Sequence, residues 1–448
     1  RVANTAIATE TTNNAQERLI STDELVLVAT LGDIDITSNS LNDVSSNGDT
    51  LIGSLAGAIT LSDDLTTGTG NLSILANTTF AQNSNITTAG TVDVEVNTSI
   101  TMADGTTTDA TDSNIRYKTA GELTLAQLTT TVDVSIKADS IVDSNEDTNN
   151  ITADELRLEV SGSTGLGTNH IETEVAELSS NGGSLFVTEA NDLIIDEISE
   201  IVVQRVGSDT TLTTTNTTDS TQSDINSSGS LVLQTIDGSI TTVATNGDII
   251  TGGNTLLKTS ETAEGSSSDS DITLGGSISI TTGDISISSS DNVNINNNII
   301  ANTTSKTIDV LGSSNITMAD GTSIQSTNGN IILEAISGNV LSETINAGTA
   351  GIAIKAGGTV NDIDSSSLIT AQNLLIDALG KVGTTTNHIN TNITTLSANA
   401  GTGLYITEND GVSIDSVHVE VNRVANTPIE TVTPNNAQER LISTDELV

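Results

Sequence analysis

Aliphatic residues alternate with small polar residues along most of this chain. The pattern is clear in LVLVATLGDIDIT from Leu25, in GSLVLQTIDGSIT from Gly229 and in GSISITTGDISIS from Gly276. Alternation with a period of two indicates a strand with one buried face, and the Gly, Asn and Asp between the runs are turn formers. The sequence therefore predicts an all-β chain of many short strands.

The strands return at short intervals. GSLVL, GSITT and GDIIT begin at Gly229, Gly238 and Gly247, at equal spacing. Two or three such strands make a coil of about 20 residues, and with a rise of ~4.8 Å per coil the chain would form about 22 coils and a rod about 105 Å long.

A longer repeat encloses these strands. The segment from Arg1 to Val26 returns from Arg423 with differences only at Ala6/Pro428, Ala8/Glu430, Glu10/Val432 and Thr12/Pro434. Arg423 repeats Arg1, so the repeat has an offset of 422 in the numbering of the chain. Near-identical return at a fixed distance is the mark of a tandem array. We expect the chain to be a segment of a longer protein.

The long repeat itself contains two diverged halves. ITMADGT occurs at Ile100–Thr106 and again at Ile316–Thr322, at an offset of 216. TNHI occurs at 168–171 and again at 386–389, at an offset of 218. We predict a first half at 1–204, a second half at 205–422, and the start of the next copy at 423–448.

The segment QERLIST, from Gln16, could be a helix, with Asn14 as N-cap and Glu17 at the third helical position. Its counterpart in the second half, at an offset of 206, contains SDINSSGS, which is a poor helix. We therefore predict a short strand and a turn.

Two architectures can be built from many short strands. β-Sandwiches usually have aromatic cores and prolines in their loops. This chain has two Phe, two Tyr, no Trp and two Pro. A parallel β-solenoid stacks aliphatic residues in its interior and Asn, Ser, Thr and Gly in its turns, and each coil buries its faces only by stacking. The composition favours the solenoid.

The motifs GDIDIT, GDISIS and GNIILEA resemble the coils of large bacterial adhesins of the filamentous-haemagglutinin type. ITMADGT, GSLFVTEANDLII and GLYITENDGVSI look like repeats of giant bacterial surface proteins. The resemblance implies a right-handed parallel β-helix and a place on a bacterial cell surface or outside the cell.

Charge and composition exclude some classes of binding partner. The chain has 13 Lys and Arg against 58 Asp and Glu, a net charge of −45, and no Cys. Nucleic acid and anionic lipid would be repelled by this charge. No apolar run approaches the ~20 residues of a membrane span, so we expect no membrane insertion. The absence of Cys excludes disulfides and suits a secreted bacterial protein.

Candidate catalytic residues are sparse. The basic residues considered are separated along the chain: Arg18, Arg116, Lys118, Lys137, Arg157 and Arg205. His170 and His388 occupy matching places in TNHI, and His418 has no counterpart in the first half. No second His and no Cys accompanies them. We assign no catalytic residue and no cofactor-binding residue, and we read the TNHI histidines as turn residues.

Calcium is the main chemical alternative. Asp side chains in turns offer the hard oxygen ligands that Ca²⁺ prefers, and they occur at Asp49, Asp104, Asp269, Asp271 and Asp320. The EF-hand loop is missing, so metal ligands stay unassigned and solvated turns are the simpler interpretation. The Gly run at Gly68 and Gly70 is too short for a phosphate loop. The glycosylation sequons are expected from composition alone: Asn71, Asn77, Asn85 and Asn97.

We predict a structural tandem-repeat segment of a very long bacterial surface or extracellular fibre or stalk. Its partners would be adjacent copies of the same repeat, with lateral association through divalent cations as a further possibility. An adhesin shaft that binds carbohydrate or neighbouring cells is the alternative, and a glycan-cleaving β-helix enzyme is a remote one. We expect no required cofactor.

Overall fold

The computed structural model describes residues 19–37, 44–146, 148–208, 214–261, 270–427, 430–434 and 441–443. Within these ranges every helix or strand element is a β-strand, and the strands are numbered β1 to β49 in chain order. The chain is a parallel β-solenoid of about 17 turns with about 22 residues per turn. The predicted fold is confirmed; the right-handed sense stays a prediction.

The turns are fewer than the predicted 22 because each is longer than expected and two hairpins lie outside the stack. With ~4.8 Å per turn, the solenoid is about 82 Å long.

The strands of the first half form three parallel columns, each strand pairing with the equivalent strand of the next turn. The first column contains β1 Leu19–Ile20, β4 Val44–Ser46, β7 Leu65–Thr67, β10 Ile86–Thr87, β13 Thr107–Asp109 and β16 Gln127–Thr129. The second column contains β2 Leu25–Ala29, β5 Thr50–Ser54, β8 Leu72–Ala76, β11 Val92–Val96, β14 Ile115–Thr119 and β17 Asp133–Ala138. The third column contains β3 Ile34–Ile36, β6 Ile59–Leu61, β9 Thr79–Gln82, β12 Ser99–Met102, β15 Glu122–Leu125 and β18 Ser140–Asp143.

Three further columns of the same kind run through the second half, and two of them begin with strands at the end of the first half. One contains β21 Leu185–Glu189, β26 Leu231–Thr235, β29 Thr255–Lys258, β32 Ile285–Ser289, β35 Ile308–Gly312, β38 Ile331–Ala335 and β41 Gly351–Ala356. Another contains β22 Leu193–Ile195, β27 Ile240–Thr242, β30 Ile272–Leu274, β33 Val293–Ile295, β36 Ile316–Met318, β39 Val340–Ser342 and β42 Val360–Asp362. The last contains β25 Ile225–Ser227, β28 Ile249–Thr251, β31 Ile278–Ile280, β34 Ile299–Ala301, β37 Ser323–Ser326 and β40 Thr344–Asn346.

Long strands join neighbouring columns at the end of each half, and two antiparallel hairpins leave the stack. The long strands are β19 Ile151–Val160, β20 Ile171–Gly182, β43 Ile369–Ala378 and β44 Ile389–Ala400. The hairpins are β23 Ile201–Val206 with β24 Thr214–Asp219, and β47 Glu420–Val424 with β48 Glu430–Pro434. The remaining strands are β45 Ile406–Glu408, β46 Ser413–Ile414 and β49 Leu441–Ser443.

The interior is filled by ladders of aliphatic side chains. Leu72, Val92, Ile115, Val134 and Leu156 stand in register on five successive turns, and all are buried. Each side chain covers its neighbour above and below, so a coil buries its inner face only when the next coil is present. The aliphatic residues that alternate with polar residues in the sequence therefore form the core.

Polar ladders close the turns. The carboxylate of Asp271 accepts from the backbone and side-chain amides of Asn292 at 2.9 and 3.0 Å, and the side-chain oxygen of Asn292 accepts from those of Asn315 at 3.1 and 3.0 Å. Asn339 and Thr359 continue the ladder in the same way. The side chains satisfy amide donors that the turns would otherwise leave unpaired.

Both halves end in the same strand pairing. β20 pairs with β21, β22 and β25, and β44 pairs with β45, β46 and β49. The QERLIST segment is extended from Leu19 onward and again at Leu441–Ser443, as predicted; residues 16–18 lie outside the described ranges. The division at 204 and 422 stays a prediction.

Candidate functional site

The two hairpins lie on the outer surface of the solenoid. β23 packs against β8, β11 and β17, and β47 packs against β32, β35 and β38. The amide of Val206 donates to Ser73 Oγ at 2.9 Å, and the amide of Val424 donates to Ser286 Oγ at 2.8 Å. Outward-pointing side chains beneath the hairpins are therefore buried instead of solvated.

The first hairpin covers a cluster of charges. Asp93 is fully buried and accepts from Arg116 Nη1 at 2.8 Å and from Arg205 Nε at 2.6 Å. Arg205 also contacts Glu95 at 2.5 Å, and Arg116 contacts Asp219 of the second hairpin strand at 3.1 Å. Buried charges require such partners because an unpaired charge is strongly disfavoured away from water. The cluster therefore ties both hairpin strands to the solenoid.

Electrostatics at this cluster favours the ionised carboxylate. Burial by itself would raise the pKa of Glu95, but hydrogen bonds and charges from Arg205 and Lys118 outweigh it and lower the pKa to about 2. Lys118 Nζ lies 3.0 Å from Glu95 Oε1. The arrangement holds Arg116, Lys118 and Arg205 in ion pairs with the carboxylates of the cluster.

The second hairpin is attached differently. Arg423 Nε lies 2.5 Å from Asp309 Oδ2, at the position that corresponds to the Arg205–Asp93 pair. Hydrogen bonds add to this ion pair, among them the bond from the amide of Asn422 to Thr307 Oγ1 at 3.0 Å. The segment leading into the hairpin and the solenoid face under it also share one cluster of buried side chains, Ile332, Ala353, Leu375, Val417, Val419 and Val421. The first hairpin is thus held by several ion pairs, whereas the second combines one ion pair with hydrogen bonds and this hydrophobic cluster.

The two TNHI histidines have matching surroundings. His170 Nδ1 lies 2.9 Å from Thr188 Oγ1, and its ring stacks on Phe186 with centroids 6.1 Å apart. His388 Nδ1 lies 3.0 Å from Thr407 Oγ1, and its ring meets that of Tyr405 at 5.9 Å.

They differ in burial. His170 is buried and its Nε2 lies 3.2 Å from the carbonyl oxygen of Asn426, beyond β47 of the second hairpin; burial lowers the pKa of His170. His388 is half-buried. Both side chains pack against an aromatic ring, and the interpretation of them as turn residues stays a prediction.

The other predicted basic and His residues make local contacts. Lys137 Nζ pairs with Glu159 at 2.5 Å, and Arg157 Nη2 pairs with the same carboxylate at 3.1 Å. His418 contacts Glu420 at 2.8 Å on the surface. Arg18 lies outside the described ranges. The structure brings these groups together at two places, the cluster of Arg116, Lys118 and Arg205 and the pair of Lys137 and Arg157 at Glu159.

The Asp turns are of two kinds. Asp104 and Asp320 are exposed at the tips of tight turns, each followed by a glycine with φ of 76°. Asp49 and Asp271 instead begin polar ladders: Asp49 Oδ1 accepts from Asn71 at 2.8 Å. Asp269 lies outside the described ranges. Among the described residues, no three His, Cys, Asp or Glu side chains converge to hold a metal ion.

One stack of carboxylates forms a negatively charged strip. Asp133, Glu155 and Glu177 stand in register on successive turns. Burial, followed by the charges of Asp133 and Glu177, raises the pKa of Glu155 to about 7. A neighbouring groove of about 430 Å³ is lined by further acids, including Asp154 and Glu174. This surface attracts cations and repels anions.

The glycines of the Gly run and the asparagines of the sequons lie at contacts between neighbouring coils. A Cβ on Gly70 would lie 2.0 Å from the carbonyl carbon of Gly48, and a Cβ on Gly68 would lie 3.1 Å from Asn47 Cα. Gly70 is therefore required by close coil packing. The sequon asparagines make contacts between coils: Asn71 belongs to a polar ladder, Asn97 donates to Asn77 at 3.1 Å, and Asn85 accepts from the amide of Thr107.

Sequence reasoning missed the hairpins. Arg205 and Arg423, at equivalent places of the shorter repeat, were the available signal, together with the polar outward residue Asp93 and its counterpart Asp309. The described residues include no helix with the length and hydrophobicity needed to cross a membrane. Comparison with protein-family models, curated proteins and solved structures finds no match to this chain.

Proposed function

We propose that this chain is a length-generating structural segment of a very long bacterial cell-surface or extracellular fibre or stalk of the filamentous-haemagglutinin type. Each copy of the long repeat adds a block of coils to one continuous solenoid. This role requires only that the coils stack on each other, and we assign the chain no catalytic step and no cofactor.

One observation carries the proposal. The letters LIS form β1 and its following residue at Leu19–Ser21 and recur as β49 at Leu441–Ser443. β1 pairs with β4 on one edge, whereas β49 pairs with β44 on the other. The same strand sequence therefore pairs with the last coil of one copy at β49 and with the second coil of a copy at β1. A stack that continues from one copy into the next requires both pairings.

Composition supports a place outside the cell. The chain carries a net charge of −45 and no Cys. A high charge of one sign keeps long rods soluble and apart, and a chain without Cys forms no disulfide during export. Solenoids gain length by adding copies, because every coil contacts only its neighbours.

The test compares proteins with one, two and three copies of the repeat. Small-angle scattering should show the length increasing by roughly 80 Å per copy at a constant cross-section. A cross-section that grows, or beads joined by flexible links, would contradict the proposal. Antibodies against the chain should label intact cells of its source without permeabilisation; labelling only after lysis would exclude the surface location.

A further inference from the structure

The junction between the two halves is a complete interface inside this chain. β21 pairs with β26 from Leu185–Leu231 to Glu189–Thr235, and β22 pairs with β27 from Leu193–Ile240. The outward side chains are buried too: Phe186 and Val232 share a cluster with Leu256 and Val424. One half thus rests on the other through both strand pairing and hydrophobic contact.

The two ends of the described solenoid carry equivalent residues without that cover. Val26 corresponds to Val232 at the repeat offset of 206, but 39% of Val26 is exposed against 0% of Val232. Val412 and Ile414 correspond to Leu193 and Ile195 at an offset of 219, and they are 40% and 47% exposed against 1% and 0%. The described part of the solenoid therefore has a partly exposed apolar edge at each end.

The hairpin tail completes the internal junction. After β47, Asn426 contacts residues of both halves: its carbonyl oxygen lies 3.2 Å from His170 Nε2, and its Nδ2 donates to Gln234 Oε1 at 2.7 Å. Val424 is buried against Phe186. The tail of the second hairpin therefore closes over residues from both sides of the junction.

Each end of the chain holds one part of an equivalent closure. At the start, Val206 is buried and its amide is bonded to Ser73, as Val424 is to Ser286. At the other end, Tyr405 and His388 repeat the ring contact of Phe186 and His170. The residues that would face each other in a junction between two copies therefore lie at opposite ends of one copy.

We propose that consecutive copies meet through a repeat of the internal junction; this inference rests on the proposed function and names its partner surface. The segment from Tyr405 through β45 of one copy pairs with β2 of the next, with Tyr405 opposite Val26. The segment from Val412 through β46 pairs with β3, with Val412 opposite Ile34. The tail of the next copy's β23, at residues 206–208, closes over Tyr405 and His388 of the preceding copy. The occupant of each apolar edge is the other end of a second copy.

The test uses a protein with residues 1–422 twice, followed by 423–448. Val26→Asp in the second copy puts a carboxylate in the proposed junction, whereas Val26→Asp in the first copy puts it at the free end. Hydrogen exchange of the β45 and β2 amides should accelerate about tenfold or more in the former, and by less than about twofold in the latter. Val412→Asp should show the reverse order: harmful in the first copy and mild in the second.

Val232→Asp is the matched positive control at the internal junction, and Val26→Thr is the milder variant should the second copy fail to fold. Equal effects in the two copies, or β45 and β2 amides that exchange as quickly in the two-copy protein as in the single chain, would overturn this interface. If the two-copy rod reaches full length but these amides stay unprotected, this junction is wrong and the fibre proposal stands. If the rod does not lengthen, the fibre proposal itself fails.

Discussion

Arg205 Nε donates to the buried carboxylate of Asp93 across 2.6 Å, although 112 residues separate them. The chain between them climbs the solenoid and then returns over its outer face as a hairpin. Arg423 and Asp309 form the equivalent pair 114 residues apart. A solenoid has only neighbour contacts along its axis, so these hairpins add contacts that span several turns at once.

Removal of Arg205 should release the first hairpin. Arg205→Ala leaves Asp93 with Arg116 as its remaining cation, so the hairpin should lose about 2 kcal/mol of stability, the scale of a charge-assisted hydrogen bond. Hydrogen exchange of the β23 and β24 amides measures this loss. Lys137→Ala is the control, because its ion pair is partly exposed and should contribute less than about 1 kcal/mol. Equal effects of both variants would show that Arg205 does not attach the hairpin.

Acid should weaken the same hairpin. Because the folded pKa of Glu95 is about 2, below its ordinary value, its contribution is complete above that ordinary value and disappears as the pH falls towards 2. We expect β23 and β24 to detach in this acid range before the coils unfold, as followed by hydrogen exchange against pH. In Glu95→Gln the hairpin should be weaker at neutral pH and less sensitive to acid. An unchanged acid dependence would exclude Glu95 as the cause.

The carboxylate strip should have the opposite pH dependence. The folded pKa of Glu155 is raised to about 7, so its stabilising effect is complete below the ordinary Glu value and is lost as the pH rises through 7. The groups that face it are Asp133, Glu177 and Asp154. The melting temperature should therefore be higher at pH 5 than at pH 8, and Glu155→Gln should reduce the difference. If Glu155→Gln keeps the full difference in melting temperature between pH 5 and pH 8, other groups cause the effect.

Close packing at the turns can be tested with two glycines. In Gly70→Ala the new Cβ would meet the carbonyl carbon of Gly48 at 2.0 Å, so backbone must move, and we expect a loss of about 1–3 kcal/mol. Gly32→Ala is the matched control, since nothing lies within 4 Å of its Cβ position. Urea unfolding of both variants measures the difference. Equal stability would mean that the coils can separate locally at no cost.

The rod should behave as a polyelectrolyte. A net charge of −45 over about 82 Å is roughly one charge per 1.8 Å of axis, close to the ~1.7 Å of duplex DNA. Thermal melting in EDTA and in millimolar Ca²⁺, each at low and high NaCl, separates two explanations. Diffuse neutralisation predicts that NaCl reproduces the Ca²⁺ effect at matched screening. A rise that only Ca²⁺ produces would instead indicate coordinated sites.

The strands and the stack could be predicted because both are local consequences of residue order. Alternation puts Ile285 and Ile287 on one side of a strand, and Gly, Asn and Asp allow the chain to turn after it. Copies of such a unit can bury their aliphatic faces only against each other, so the sequence pattern was enough to choose a solenoid. The polar ladders follow from the same periodicity.

The sequence by itself therefore determined the all-β class, the parallel stacking and the repeat. Only the tertiary structure decided that Arg205 meets Asp93, that His170 is buried under Asn426, and that Val232 is covered while Val26 is not. These contacts join residues far apart in the chain, and their distances depend on how many turns lie between them and where each hairpin folds back. Periodicity fixes which side a residue faces, but a long-range contact also needs the number of coils and the path of the loop, and neither is encoded in a local pattern.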